Sequence, residues 1–348
     1  MKKKRQKVHF LAWTTNMNLA ALGNVAAKSS GNLNRQVVET RVLQYDADFS
    51  CYEVADMDVP AANNFKNLLD LLNMKRVMVG AGLINCFITL GYKSGRDTMA
   101  TVKPYQENRD PDAPIKVRVR ELRNLLANYS SEHINVIVGH FFEADDLMCR
   151  EQERMIAEGR IKDSVLSSGD KDLWMVQGYH ADPQTGRQWF VDGFGHTEYR
   201  EVGNVKPKLV GEGTSWFWHQ MVMGDKADNI PGLEKLDNKT LDRYLPLKSH
   251  KPRKSGAGAC GEAKAVAMLL GVTSEKEAAR RVYEAYWEYY GANAMERFIE
   301  QAYLLWMQRT DNEWDLVNYM RDCGMKVRPT QQQLDVVTKF RALHNGRI

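Results

Sequence analysis

Ile134-Asn-Val-Ile-Val138 is followed five residues later by Glu143-Ala-Asp-Asp146, and Ser164-Val-Leu-Ser167 runs directly into Ser168-Gly-Asp-Lys-Asp172. Each unit is a short apolar run that ends in carboxylates. A short apolar run bounded by turn signals reads as a strand buried on both faces. Two more runs fit the same description. Arg41-Val-Leu-Gln-Tyr45 ends at Asp46 and Asp48, and Cys86-Phe-Ile-Thr-Leu90 is closed by Gly91. The segments between them have helical spacing. Phe65, Leu68, Leu69 and Leu72 recur through residues 61–74, and Val119, Leu122, Leu125 and Leu126 through residues 115–129. Residues 143–158 read as a further helix. Strands alternating with helices predict a parallel α/β sheet. In such sheets functional groups gather beyond the carboxyl ends of the strands.

Downstream the texture changes. Residues 188–191 and 198–210 predict β extensions, and residues 215–223 an aromatic-rich helix. Residues 248–258 are basic with Pro and Gly, which predicts a loop. Residues 262–308 read as helical throughout, and residues 331–344 as a last helix. There is no internal repeat.

Composition bounds the class. The chain has 348 residues, 43% hydrophobic and 26% charged, with 48 Lys plus Arg against 44 Asp plus Glu. That excludes a disordered, collagen-like or disulfide-stapled chain and leaves room for about two domains. The five cysteines are odd in number and lack a CxxC pair, which points to a reducing compartment and away from a Cys-based zinc site. No apolar run is long enough to span a membrane. Residues 1–7 are basic and residues 10–27 fairly apolar, but Thr14, Thr15, Asn16, Asn18 and Asn24 interrupt the stretch. Residues 1–40 therefore read as a basic extension rather than a secretory signal.

The acids form a series. Asp46 and Asp48 end the first strand, Glu143, Asp145 and Asp146 follow the third, and Asp170 and Asp172 the fourth. Gly224-Asp225-Lys-Ala-Asp228 follows the aromatic helix. A single such cluster is usually a helix cap or a turn. In series, each after an apolar run or a Gly-rich turn, they predict a shared site. Carboxylates so concentrated need cations or protons to neutralise them. An all-oxygen donor set suits a hard ion, Mg²⁺ or Mn²⁺. Setting nine of the 44 acids aside in such a pocket leaves 35 against 48 basic residues, a remainder of +13 suited to a phosphate backbone.

Glu143-Ala-Asp-Asp146, Ser168-Gly-Asp-Lys-Asp172 and Met223-Gly-Asp-Lys-Ala-Asp-Asn-Ile-Pro-Gly-Leu233, in that order, resemble the 5′-nuclease (flap endonuclease) superfamily. The nearest likeness is to the 5′→3′ exonucleases of short-tailed bacteriophages, over roughly residues 41–310. The resemblance implies an α/β fold with a PIN-like, mostly parallel central sheet flanked by helices. It also implies a helical C-terminal region containing a helix-hairpin-helix element. The implied division is a catalytic domain over residues 41–230, with an arch near 92–115, and a DNA-binding region over 231–348 with that element near 255–271. Implied metal ligands are Asp46, Glu143, Asp145, Asp146, Asp170, Asp172, Asp225 and Asp228, holding two Mg²⁺ or Mn²⁺ ions. Lys93 and Arg96 resemble the basic residues that hold the scissile phosphate. Tyr105-Gln-Glu-Asn-Arg109 resembles the element before the arch, and Tyr92 and Tyr105 are candidates to stack on an unpaired base. Lys254, Gly256, Gly258, Gly261 and Lys264 fall in the stretch that resembles the DNA-binding hairpin, where backbone N–H groups approach phosphates and a K⁺ ion is a candidate ligand.

The implied activity is metal-dependent hydrolysis of DNA, or of RNA–DNA hybrids, from 5′ ends or at flaps. The implied setting is phage DNA replication or host-DNA breakdown, by a cytoplasmic monomer. One departure stands out: the acid that usually follows the second strand is missing at Leu90 and Gly91, and Asp97 lies only nearby. That departure motivates two alternatives, a catalytically weakened structure-specific DNA-binding homologue and, more distantly, a PIN-type ribonuclease.

Overall fold

The computed structural model describes residues 36–91, 95–110, 113–201, 207–245, 257–310 and 315–344. Its main sheet has six strands. β1 (Val38–Asp46), β2 (Ala81–Thr89), β3 (Ile134–Gly139), β4 (Ser164–Ser167), β5 (Gly178–Ala181) and β6 (Gln188–Val191) lie in the order β3-β2-β1-β4-β5-β6. All neighbours pair in parallel except β5 and β6. The mostly parallel α/β architecture expected from the alternating pattern is therefore present. The four expected strands all form, and β2 starts five residues earlier than its apolar run suggests.

Directional polar contacts add to the hydrophobic pattern in fixing the register of these strands. A polar ladder, buried from Asn85 onward, crosses four strands. Asn135 donates to Asn85 (3.0 Å), Asn85 to Gln44 (2.9 Å) and Gln44 to the Ser164 hydroxyl (3.3 Å). Ser164 in turn donates to Gln152 (2.6 Å). A one-residue slip would leave Asn85, Gln44 and Ser164 buried and unpaired.

Helices cover both faces. On one, α1 (Ala47–Val54), α2 (Ala61–Met78) and α4 (Ile115–Ala127) pack over Leu43, Ile84 and Val165, with α3 (Gly95–Met99) between α2 and α4 in the chain. On the other lie α5 (Ala144–Ala157) and α6 (Thr214–Met223), buried from Thr214 to Val222. The core of this second face runs on from Phe87 and Leu166 to Phe298 and Val336. It thus joins the sheet to α7 (Asn238–Asp242), α8 (Glu262–Leu269), α9 (Glu275–Tyr290), α10 (Ala294–Leu305), α11 (Asp315–Asp322) and α12 (Gln331–His344). None of the described helices is long and apolar enough to cross a membrane.

Two expectations need correction. Residues 262–308 do not form one continuous helical stretch. Gly271 and Gly291 take the left-handed conformation (φ +73° and +55°) and divide it into α8, α9 and α10. Residues 198–210 are not one extension but two strands, β7 (His196–Arg200) and β8 (Lys208–Glu212), paired antiparallel. Of the expected loop at 248–258, residues up to 256 lie outside the described ones. Ala257–Ala259 forms β10 against β9 (Lys235–Asp237).

Candidate active site

β1, β3 and β4 deliver the first acids to one edge of the sheet. Asp46 ends β1 and caps α1, accepting from the Phe49 N–H (3.3 Å) and the Ser168 hydroxyl (2.9 Å). Burial, then repulsion from Asp48, raises its carboxyl to about 7. Asp48 accepts from the Thr89 N–H (3.2 Å) and pairs with Arg123 (2.7 Å). Glu143 stands at the N-cap of α5, with Asp145 and Asp146 in its first turn, where negative charge suits the helix dipole. Burial, then repulsion from Asp46, Asp170 and Glu143, pushes the Asp145 carboxyl well above the usual range. Among the described residues no hydrogen-bond donor or ion-pair partner engages it.

The β4 acids are held through their turn. Ser168 bonds Asp46 and accepts from the Asp170 N–H (2.9 Å), and Asp170 caps the turn by accepting from the Asp172 N–H (2.9 Å). Burial raises the Asp170 carboxyl. Asp172 is buried and accepts from the Trp216 indole (3.1 Å) and the Gln220 amide (2.8 Å) of α6. Burial, then repulsion from Asp170, raises its carboxyl to about 8. The Lys171 ammonium lies 3.6 Å from Asp225 and 4.0 Å from Asp172, over the Trp216 ring.

The third cluster sits on a tight loop. Asp225 and Ile230 exchange backbone hydrogen bonds (2.8 and 2.7 Å), and Asn229 is left-handed at φ 58°. Gly224 and Gly232 are also left-handed, and a Cβ on Gly232 would lie 2.4 Å from the Gly224 nitrogen. The Gly-Asp-x-x-Asp-Asn-Ile-Pro-Gly pattern is thus a backbone requirement as well as a carrier of acids. Asp228 meets Arg109 (2.6 Å) and the Tyr105 hydroxyl (3.2 Å), which also reaches Glu143 (3.3 Å).

These segments enclose a cleft of about 730 Å³. Asp46, Asp48, Glu143, Asp145, Asp170, Asp172 and Asp228 line it, with Arg96, Tyr105, Arg109, Arg123 and Lys171. Asp225 is buried at its rim through Gln220 (3.3 Å) and Lys171. Asp146 faces away from the cleft. It forms a buried two-pronged pair with Arg96 (2.9 and 3.1 Å) and accepts from the Gln308 N–H (3.0 Å). Arg96 is only 3% exposed and also meets Glu143 (3.0 Å) and the Trp306 carbonyl (2.9 Å). Its guanidinium is therefore engaged by protein oxygens, where the sequence suggested a phosphate.

The remaining expected contacts divide as follows. Lys93, Lys254 and Gly256 lie outside the described residues, as does Tyr92. Gly258 is in β10, Gly261 caps α8, and the Lys264 ammonium bonds the carbonyls of Leu236 (2.8 Å) and Gly258 (2.5 Å). Sequence reasoning missed Arg123, Trp216, Gln220 and Thr89, which carry no motif and reach the acids only through long-range packing.

As to metal, among the described residues no three His, Cys, Asp or Glu side chains are grouped so as to hold one ion. Several acids turn instead to protein donors, as Asp46 does to Ser168 and Asp172 to Trp216 and Gln220. The donor chemistry nonetheless fits a hard divalent ion: the donors are all carboxylates, those of Asp46, Asp145, Asp170 and Asp172 are raised by burial and mutual repulsion, and among the described residues Asp145 has no counter-charge.

The vacant acid position has a steric cause. A Cβ on Gly91 would stand 1.4 Å from the His140 carbonyl oxygen. Asp97, close by in sequence, does line the cleft. Gly91→Asp, which would restore the acid, is therefore expected to destabilise the protein by about 1–3 kcal/mol through overpacking, without a gain in DNA cleavage. Thermal melting and a nuclease assay check this; unchanged melting would refute the steric account.

No protein-family model matches the chain, and no curated protein matches it. In structure it is similar to the bacteriophage T5 D15 protein co-crystallised with metal ions, at 15% identity and TM-score 0.48, over 88% of this chain and 99% of that one. It is similar to the T5 5′-exonuclease with bound zinc, at 14% identity and TM-score 0.49, over 88% and 98%. A third similar structure is the T5 D15 flap endonuclease in a pseudo-enzyme–product complex with DNA and metal ions, at 13% identity and TM-score 0.45, over 88% and 98%. The likeness is one of overall architecture.

Proposed function

We propose that the chain is a divalent-metal-dependent 5′→3′ exonuclease and flap endonuclease acting on DNA. The observation that carries the reading is the convergence of carboxylates from four separate chain segments on one cleft at the carboxyl ends of the parallel strands. The order of the acidic motifs supports it. Asp46, Glu143, Asp145, Asp170, Asp172, Asp225 and Asp228 would hold Mg²⁺ or Mn²⁺. Asp146, paired with Arg96, would support the α5 end of the cleft. When bound, such ions lower the pKa of a water and stabilise the leaving 3′-oxygen, giving a 5′-phosphate and a 3′-hydroxyl.

The chain's own residues have separate tasks. Asp46, Asp145 and Asp170 repel one another and favour cation binding. Lys171 and Arg109 offer positive charge to a phosphate at the rim. Tyr105 and Arg109 fix Asp228. We assign residues 41–230 to catalysis and residues 231–348 to holding DNA. Lys254, Gly256, Gly258, Gly261 and Lys264 are proposed backbone contacts, with K⁺ a candidate there.

Incubation of 5′-labelled duplex, flap and RNA–DNA hybrid substrates with Mg²⁺ is expected to release 5′-labelled products, and EDTA to stop it. The vacant position at Gly91 favours one other reading, a DNA-binding homologue without catalysis. Tight flap binding with no cleavage in Mg²⁺ or Mn²⁺ would establish that reading and overturn ours.

A further inference from the structure

Two consecutive buried side chains of helix α10 hold the segments that border the cleft. Glu300 is 2% exposed. Its Oε1 accepts from the backbone N–H groups of Thr101 (2.7 Å) and Val102 (2.9 Å). Its Oε2 accepts from the Thr101 hydroxyl (2.6 Å) and pairs with Arg297 (2.8 Å). Thr101 opens a strap that borders the cleft and carries Tyr105 and Arg109 to Asp228. The neighbouring Gln301, 1% exposed, accepts from the Gly232 N–H (3.0 Å), at the end of the loop that carries Asp225 and Asp228.

The strap and the loop then meet each other. The Gln106 N–H donates to the Asp228 carbonyl (2.9 Å), Asn229 to the Pro104 carbonyl (2.8 Å) and Asn108 to the Lys226 carbonyl (3.3 Å). One helix thus grips both pieces whose contact puts Tyr105 and Arg109 on Asp228. Burying a carboxylate is costly, and an apolar side chain would fill the space at less cost. A carboxylate adds directional bonds to backbone, which fix a segment's position in a way that packing does not.

We propose that Glu300, with Gln301, is a positioning residue that sets the strap carrying Tyr105 and Arg109 against the Asp225–Asp228 loop, and so the geometry of the cleft. This rests on the nuclease reading above. The test compares the full-length wild type, Glu300→Ala, Glu300→Gln and, as a control for lost stability, Leu72→Ala on the opposite face of the sheet. Gln keeps an oxygen for both N–H groups, and gives up the acceptor for the Thr101 hydroxyl and the charge facing Arg297.

In Mg²⁺ with flap DNA, Glu300→Ala is expected to lower kcat by roughly 10–100-fold with little change in KM. Glu300→Gln should recover most of the loss, and Leu72→Ala should keep its kcat despite a lower Tm. Amide exchange at Thr101, Val102 and Gln106 should quicken in Glu300→Ala and not in Leu72→Ala. The inference is overturned if the wild type cleaves and Glu300→Ala cleaves equally well, or loses kcat only in step with Tm as Leu72→Ala does. It is also overturned if exchange in the strap is unchanged. A wild type that fails to cleave at all would instead overturn the nuclease reading.

Discussion

Replacing Asp170 and Asp172 together by Asn is expected to cut metal-dependent DNA cleavage by roughly 10²–10³-fold or more and, at the same time, to raise the melting temperature of the metal-free protein at pH 8. The two effects share one cause. The Asp172 carboxyl is raised from the ordinary 3.8 to about 8, by burial first and then by repulsion from Asp170. The Asp46 carboxyl rises to about 7, by burial first and then by repulsion from Asp48. A carboxyl raised in the folded state favours folding in its protonated form. Its contribution is therefore full below about pH 4 and is lost as the pH rises through about 7 to 8. Asn cannot ionise, and its side-chain oxygen still accepts from Trp216 and Gln220. The variant should thus gain stability over wild type as the pH climbs from 4 to 8, and lose the stabilisation that added Mg²⁺ gives the wild type. Thermal melts at pH 4 and pH 8, with and without Mg²⁺, alongside the cleavage assay, decide the matter. Parallel pH profiles for the two proteins would show that these carboxyls are not held under strain.

Arg96→Met is expected to cost about 3–5 kcal/mol of folding stability, because it leaves Asp146 buried without its counter-charge. The pair is nearly inaccessible to solvent on both sides, so water cannot replace the lost guanidinium. Glu143 and the Trp306 carbonyl lose the same partner. Restoring balance with Arg96→Met and Asp146→Leu together should recover most of the loss, since an apolar pair of similar volume is often neutral. Urea midpoints for the two single variants and the double variant measure this. A shift below about 1 kcal/mol for Arg96→Met, as for an exposed pair, would refute the buried-pair account.

These cases show what a sequence can and cannot carry here. The strands and their acids were legible because each apolar run stops abruptly at a carboxylate, and period and punctuation are local properties. Helix α1 escaped because its first residues overlap the functional Asp46 and Asp48, and its side chains show almost no amphipathic contrast. β9 and β10 are three residues each and exist only through their pairing. Arg96 was legible as a cation near the chemistry, but its direction depends on the Trp306 carbonyl, more than two hundred residues away. Gly91 marked a missing acid in the sequence, and only the neighbouring strand end explains why no side chain fits there.

The reach of α10 and its successors to the cleft has a bearing on synthesis. A chain emerges from the ribosome with its N-terminal end first, so every acid from Asp46 to Asp228 is exposed before Glu300 and Gln301 exist. Until translation has passed residue 308, the strap lacks its anchor, Arg96 lacks the Trp306 carbonyl and Asp146 lacks the Gln308 amide. On the nuclease reading, a polypeptide that stops short of residue 308 carries the whole acidic series without the contacts that position the cleft, which would keep cleavage low until that residue has been made.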